Sequence, residues 1–185
     1  MRENETDLVA AARDHAPAAW DALLKRHQLP LYTYAAKLLQ DDTAALDVVQ
    51  ETFVAAVRHI GSLRDDTRFS SWLFGIAHQR CIQWWRRQRR DAALFTTEPG
   101  GVSPEVPEPD SPDPRTVLLQ RERADAFFAA LATLPPPHRS ALLLHVLEDF
   151  SLQEIATIAG VPVGTVKSRL FHARRALRQI WEDQT

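Results

Sequence analysis

The chain of 185 residues is poor in the residues that several protein classes require. A single cysteine, Cys81, excludes a disulfide within the chain. Six glycines leave little room for a phosphate-cradling loop, and no nucleophile motif or metal quartet is evident. No apolar run approaches the roughly 18 residues of a spanning helix, and the charged amino terminus lacks the apolar core of a signal peptide. The sequence therefore predicts a cytoplasmic protein that is not an enzyme, with no catalytic residue, cofactor or metal. His78 and Cys81 have a ligand-like spacing, but no second pair accompanies them, so we interpret that spacing as adventitious.

Proline, glycine and acidic residues are concentrated in one segment, 96–114, which has only two valines. Such a segment cannot bury enough surface to order itself, so we interpret 93–120 as a flexible acidic linker. It separates a first domain, 19–92, from a second, 121–185, and residues 1–18 form an amino-terminal lead-in. Both halves have helical periodicity without the alternation of strands. The predicted fold is all-α, with two small helical domains joined by the linker.

Capping and helix-breaking residues predict where the helices begin and end. Asp41-Asp42-Thr43 offers caps, and Ser151 with Glu154 forms a capping box, in which each side chain pairs with the backbone of the other. The prolines at 135–137 and the Gly-Val-Pro run at 160–162 interrupt the pattern. Helices are expected at 17–39, 43–60, 69–90, 115–133, 137–147, 151–159 and 163–182.

The last two predicted helices form a helix-turn-helix, because a short helix and a glycine-containing turn precede a long basic helix. One face of the long helix is apolar: Val166, Leu170, Ala173, Leu177 and Ile180. The opposite face has groups that suit base edges and phosphates: Lys167, Ser168, Phe171, Arg175 and Arg178. A merely solvated basic face is the alternative, but it would need neither the capping box nor an exposed phenylalanine.

The helix predicted at 43–60 has an apolar stripe and a mixed stripe. We expect the apolar stripe to be buried: Leu46, Val49, Phe53, Val57 and Ile60. The exposed stripe combines acid, amide and apolar residues: Asp47, Gln50, Glu51, Val54 and Arg58. Such a stripe can dock a partner helix, but periodicity alone favours a solvated face.

The helix predicted at 69–90 has apolar residues on two sides, so we expect it to pack on both. One strip contains Phe69, Leu73 and Ile76, and the other contains Phe74, Cys81 and Trp85. Between them a stripe runs into an arginine-rich end: Trp72, Gln79, Gln83 and Arg86. Amides and arginines beside aromatic rings suit unstacked single-stranded bases. For Trp72 and Trp84, packing in the core is an equal alternative.

These segments resemble a known family. Residues 47–53 (DVVQETF) and 69–77 (FSSWLFGIA), with the basic tail, resemble region 2 of extracytoplasmic-function sigma factors. Residues 134–139 (LPPPHR), 152–156 (LQEIA) and 161–170 (VPVGTVKSRL) resemble region 4. The resemblance covers about 20–90 and 125–182, and the two sets of motifs in this order around a linker are highly specific.

The resemblance implies a sigma factor that directs core RNA polymerase to promoters and melts them. The resemblance implies that one set of residues docks on the clamp coiled-coil of the largest subunit: Asp47, Gln50, Glu51, Val54 and Arg58. This implication reverses the preference for a solvated face. It also implies that the loop 64–71 and the helix predicted at 69–90 capture unpaired bases of the −10 element. The candidate residues are Arg64, Arg68, Gln79, Gln83, Arg86 and Arg87. It further implies that the last helix reads the −35 element as duplex, through Thr165, Lys167, Ser168, Phe171, His172 and Arg175.

Further partners follow from the same resemblance. The linker would run towards the RNA exit path, and region 4 would dock on the flap of the second-largest subunit. An anti-sigma factor is a common partner in the family, although no residue here identifies one. Relatives often have Arg and Asn where this chain has His172 and Gln79, so its promoter sequence is expected to differ. The rival hypothesis is a free-standing regulator with a carboxyl-terminal helix-turn-helix, but no dimerisation surface or ligand pocket is evident in the sequence.

Overall fold

The computed structural model of the chain describes residues 4–94 and 126–182, and within these ranges all regular structure is helical. Two short 3-10 turns, Ile60–Ser62 and Asp66–Arg68, lie between the helices Asp42–His59 and Phe69–Leu94. The all-α prediction is confirmed. Most of the predicted linker and the first part of the helix predicted at 115–133 lie outside the described residues. The helices are α1 (Glu5–Arg13), α2 (Pro17–Leu39), α3 (Asp42–His59), α4 (Phe69–Leu94), α5 (described over 126–132), α6 (Pro136–Val146), α7 (Leu152–Ala159) and α8 (Val163–Glu182).

The helix boundaries follow the local signals. The Asp41 carboxylate accepts a hydrogen bond of 2.9 Å from the amide of Ala44 and so caps α3. The predicted capping box of α7 is present, since the Glu154 amide donates to Ser151 Oγ and the Glu154 carboxylate accepts from the Ser151 amide at 2.8 Å. Gly160 ends α7 with a φ of 63°, a left-handed conformation that glycine adopts without steric cost. These contacts satisfy amide and carbonyl groups that a helix end leaves unpaired.

The lead-in at 1–18 contains a helix that the sequence analysis did not predict. Leu8, Val9 and Ala12 of α1 are buried against the first bundle. The indole of Trp20 donates to the carbonyl of Ala12 at 3.1 Å, and Glu5 lies 3.2 Å from His27 Nε2. In the described residues the first bundle therefore has four helices, α1 to α4.

The predicted buried stripe of α3 is partly wrong. Leu46 and Val57 are 54% and 44% exposed, whereas Phe53 and Ile60 are buried and Val49 is half-buried. The inner face is lined mainly by small residues: Ala44, Ala45, Val48, Thr52, Ala55 and Ala56. Small side chains let α3 approach α2 and α4 closely, and this close packing sets the rotation of the helix. The buried Thr52 hydroxyl is satisfied because it donates to the carbonyl of Val48.

The two halves pack on each other, α4 against α7 and α2 against α6, and one apolar cluster extends through both. At the junction the rings of Phe74 and Phe150 meet edge to face, 5.2 Å apart. The buried Tyr34 hydroxyl is hydrogen-bonded to His78 Nδ1 at 2.9 Å and lies 3.0 Å from Ser140 Oγ. Because α4 packs on α2, α3 and α7, the prediction that it packs on two sides is confirmed.

Candidate nucleic-acid and partner interfaces

The long helix of the helix-turn-helix, α8, buries one face and exposes the other. Four of the five positions of the predicted apolar face are buried: Val166, Leu170, Ala173 and Leu177. The side chain of Ile180 lies outside the described residues. The predicted outward positions are exposed, with Phe171 at 62% and with Thr165 half-buried at the start of the helix: Lys167, Ser168, Phe171, His172, Arg175 and Arg178. Exposing so much of a phenylalanine costs apolar burial in the free chain, which is typical of a contact surface.

The outward face of α8 is strongly cationic. Among the residues that the structure describes, Lys167, Arg175 and Arg178 take part in no ion pair, so their charge is available to phosphates. His172 is held differently, because its ring stacks on that of His138 from α6 with centroids 5.8 Å apart. Desolvation, and then the nearby His172 and Arg169, lower the pKa of His138. His172 therefore lies at the α6 side of this face.

A groove of about 1010 Å³ lies where the loop 60–68 and α4 meet α7. The structure brings together four of the residues that were predicted to capture the −10 element, and they line this groove: Arg64, Arg68, Gln79 and Gln83. All four side chains are exposed, and the half-buried Trp72 lies beside them. Arg86 and Arg87 are also exposed, but they lie further along α4, where they line a smaller depression with Gln83 and Arg90. Cationic, amide and aromatic groups therefore converge on one concave surface.

The loop of this groove is shaped by Asp65. Its carboxylate accepts from the Thr67 hydroxyl at 2.6 Å and amide at 3.1 Å, and it lies 3.4 Å from Arg68 Nε. The hydrogen bonds from Thr67, and then the charge of Arg68, hold the pKa of Asp65 below its ordinary value. Asp65 thus remains ionised and restrains the turn that separates Arg64 from Arg68.

Several lining residues of the groove were not among the predicted sites. Arg80 of α4 pairs with Glu51 of α3 at 3.5 Å and donates to Gln83 Oε1 at 3.4 Å, so it connects the exposed stripe of α3 to the groove. The sequence signal that could have identified Arg80 as a site residue was its place in the arginine-rich end of the helix. The opposite wall comes from α7: Ser151, Gln153, Glu154, Thr157 and Ile158. No local pattern could assign these, because their position depends on the packing of the two halves.

The predicted stripe of α3 is exposed along its length: Asp47, Gln50, Glu51, Val54 and Arg58. Val54 is 51% exposed, and the two misassigned residues, Leu46 and Val57, extend the apolar part of this surface. We call these seven residues the α3 face. A surface with apolar centres among charged groups has the composition of a protein-docking site.

His78 and Cys81 point into the protein rather than forming an open site. Burial, and then the charge of Arg169, lower the pKa of His78 to about 4. Burial raises the pKa of the Cys81 thiol to about 12, so the thiol is neutral and unreactive at physiological pH. His78 Nδ1 is engaged by the hydroxyls of Tyr34 and Ser140. In the described ranges, no group of three potential ligands is placed to hold a metal ion.

Comparison with known proteins gives matches along nearly the whole chain. Residues 23–91 match the family described as Sigma-70 region 2, and residues 124–177 match Sigma-70, region 4. The ECF RNA polymerase sigma-E factor of Escherichia coli is 32% identical over 189 residues, covering 96% of this chain and 95% of that protein. The RNA polymerase sigma-H factor of Pseudomonas aeruginosa is 30% identical over 179 residues, covering 95% and 93%.

Two solved structures are similar in fold. The structure of CnrH in complex with the cytosolic domain of CnrY aligns with a TM-score of 0.67 at 25% identity, covering 98% of this chain and 99% of that one. The sigma factor RpoE in complex with the anti-sigma factor NepR, from Bartonella quintana, aligns with a TM-score of 0.70 at 24% identity, covering 87% and 97%. In the described ranges no helix is long and apolar enough to cross a membrane.

Proposed function

The chain belongs to the extracytoplasmic-function family of RNA polymerase sigma factors, and we propose that it divides promoter recognition among α8, the α4 groove and the α3 face. As a sigma factor it directs core RNA polymerase to specific promoters and initiates transcription there. It performs no bond chemistry itself, since nucleotide addition belongs to the core enzyme, and it acts in the cytoplasm, where that enzyme works.

The −35 element is read by α8. The observation that supports this assignment is the exposed Phe171 among unpaired cations on a helix whose opposite face is buried. In a helix-turn-helix the amino-terminal part of the second helix meets base edges in the major groove. Lys167 and Ser168 lie in that part and can donate to bases, and Phe171 can contact a thymine methyl group. Arg175, about one turn after Phe171, lies nearer the phosphates.

The −10 element is captured as single strand in the groove formed by the loop and α4. Gln79 and Gln83 can hydrogen-bond base edges, Trp72 offers a ring for stacking, and Arg64 and Arg68 can meet phosphates. Stacking on an aromatic ring contributes about 1–3 kcal/mol per base. Flipping a base out of the duplex costs a few kcal/mol. The two are of similar size, so stacking alone does not favour melting, and the hydrogen bonds and phosphate contacts of the same groove must supply the remainder.

The wall that α7 contributes would oppose a bound strand, because Glu154 is among its lining residues and its negative charge would repel phosphates. We therefore expect α7 to leave this position when the −10 strand enters. Both halves would then be held on polymerase by their own contacts, and binding of one DNA element would raise the effective concentration of the other. Each half alone would bind DNA weakly.

Core polymerase is bound through the α3 face, on the clamp coiled-coil of the largest subunit. Val54, Leu46 and Val57 supply apolar contact, and Asp47 and Glu51 supply charge around it. Region 4 would dock on the flap of the second-largest subunit. CnrH is seen with the cytosolic domain of CnrY and RpoE with the anti-sigma factor NepR, and by analogy we propose that this chain also has an anti-sigma partner.

Run-off transcription from genomic DNA with purified core polymerase tests this function. The chain should produce defined start sites that core polymerase alone does not produce. Glu51→Lys should weaken core binding, measured by fluorescence anisotropy, because it reverses a charge on the α3 face. Lys167→Ala and Arg175→Ala should reduce promoter use and leave core binding intact. Loss of core binding in the α8 variants would contradict the assigned roles, and so would a duplex footprint by the chain alone that polymerase leaves unchanged.

A further inference from the structure

Helix α1 reaches the loop of the groove through its last residue, Arg13. The Arg13 guanidinium donates to the carbonyl of Leu63 at 3.0 Å. It also donates through both terminal nitrogens to the carboxylate of Asp66. The two loop positions lie 50 and 53 residues further along the chain and bracket Arg64 and Asp65. One side chain from the amino terminus therefore ties both ends of the segment that presents Arg64.

The Arg13 side chain is itself well placed to act as a fixed support. Helix α1 is held by the burial of Leu8, Val9 and Ala12 and by the indole of Trp20. The side chains of Arg13 and Asp66 are 37% and 25% exposed, so water screens their interaction less than it screens a fully exposed pair. A bidentate arginine–carboxylate contact also fixes direction as well as distance.

The loop has few other restraints of this kind. Ile60 and Leu63 anchor it by burial, and Asp65 bonds only to residues within the loop. Across the described ranges, no side chain from outside residues 59–71 other than that of Arg13 hydrogen-bonds this loop. Without Arg13, the orientation of the segment 64–66 would depend on the local turn alone.

We propose that Arg13 is a positioning residue for capture of the −10 strand, fixing the segment 63–66 so that Arg64 faces the unstacked bases. The inference rests on the proposed function of the groove. Arg13 does not itself contact DNA in this scheme, since its terminal nitrogens are bonded to Leu63 and Asp66. Its effect reaches the strand through the loop.

The experiment uses the full chain bound to core polymerase on a promoter mapped by run-off transcription. Arg13→Gln should lower the rate of promoter opening, followed by permanganate reactivity of unpaired thymines, by about tenfold, which corresponds to the loss of a hydrogen bond to a charged group. Core affinity and binding to a duplex with the −35 element alone should not change. Arg26→Gln is the matched control, because Arg26 pairs with Glu5 of α1 at 3.2 Å but does not touch the loop. It should open promoters at the normal rate.

Two further variants separate positioning from general destabilisation. If Arg13 acts through Arg64, the double variant Arg13→Gln/Arg64→Ala should open promoters no more slowly than Arg64→Ala alone. The exchanged pair Arg13→Asp/Asp66→Arg should recover part of the opening rate. Additive effects of Arg13→Gln and Arg64→Ala, or equal defects in Arg13→Gln and Arg26→Gln, would overturn the proposal.

The outcome also distinguishes this inference from the function on which it rests. If Arg64→Ala and Gln79→Ala impair opening while Arg13→Gln does not, the groove assignment stands and the role of Arg13 is wrong. If Arg64→Ala and Gln79→Ala also leave opening unchanged, the groove does not hold the −10 strand, and both proposals are wrong.

Discussion

Acidification should weaken the folded chain through His78, which lies at the junction of the two halves. Burial, and then the charge of Arg169, lower the pKa of this ring from 6.5 to about 4. Between these values the unfolded chain binds a proton that the folded chain does not. Stability is therefore complete above pH 6.5 and is lost as the pH falls towards 4. The shift corresponds to about 3 kcal/mol in total, of which about 2 kcal/mol is lost between pH 7 and pH 5.

The groups around His78 support the sign of this effect. Tyr34 of α2 and Ser140 of α6 meet its Nδ1 with neutral hydroxyls. Burial raises the pKa of Tyr34 well above its ordinary value, so this hydroxyl stays neutral. Cys81, one turn along α4, carries a neutral thiol, because burial raises its pKa to about 12. Arg169 of α8 adds a positive charge. In the described part of the chain no carboxylate interacts with this ring, so protonation gains no compensating ion pair.

The assay is urea unfolding at pH 7 and pH 5, followed by circular dichroism, for the original chain and for His78→Asn. Asparagine places an acceptor oxygen near the position of Nδ1, so the hydroxyls of Tyr34 and Ser140 keep a partner. The pKa values of His27 and His138 are also lowered by burial, but they affect both proteins equally. The original chain should lose about 2 kcal/mol more than the variant on acidification. Equal losses in the two proteins would refute the reasoning.

Two further predictions concern the binding surfaces. Phe171→Ala should weaken binding to promoter duplex about tenfold in a gel-shift assay with holoenzyme, a loss of about 1.4 kcal/mol, because the apolar contact with a base is removed. The melting temperature of the variant chain should equal that of the original chain, because the ring is 62% exposed. A lowered melting temperature would contradict the role of Phe171 as a DNA contact. Val54→Asp should weaken core binding at least tenfold in anisotropy titrations, because a charge would replace an apolar contact at the centre of the α3 face. Asp21→Ala, on the exposed side of α2, is a neutral control, and an equal loss in both variants would argue against a specific face.

The sequence was sufficient to predict the helices of both halves where local signals set their ends. Helix α2 begins at Pro17 and ends at Leu39, as predicted, and α8 begins at Val163. Caps, prolines and glycines act on backbone within a few residues, so their effects do not depend on the rest of the fold. The same holds for the outward face of α8, which a single amphipathic helix determines.

The rotation of α3 could not be predicted from the positions of its largest apolar residues. Leu46 and Val57 were assigned to the core because they are bulky and apolar, yet they are among its exposed residues. The buried face, which contacts α2 and α4, is lined mainly by alanines. A pattern that weights residues by hydrophobicity alone undervalues alanine, although close packing of helices requires small side chains.

Helix α1 was missed because little of its stability is local. Nine residues are too few for a helix to persist in water without tertiary support. The support comes from distant positions: Trp20 bonds to the carbonyl of Ala12, and Asp66 pairs with Arg13. The contact that we propose to position the −10 loop was therefore not visible in the sequence.

The junction between the halves depends on partners that are still further apart. Arg139 appeared in the sequence only as part of a family motif, but its guanidinium is buried and donates to the carbonyls of Leu38 at 3.0 Å, Leu134 at 3.0 Å and Ala132. Leu38 lies in the last turn of α2, and Ala132 and Leu134 lie at and just beyond the end of α5. Carbonyls at helix carboxyl termini carry partial negative charge and lack helical partners, so they can stabilise a buried cation without a carboxylate. A single arginine thus pairs with the ends of two helices from different halves, and its role is defined only once the halves have met.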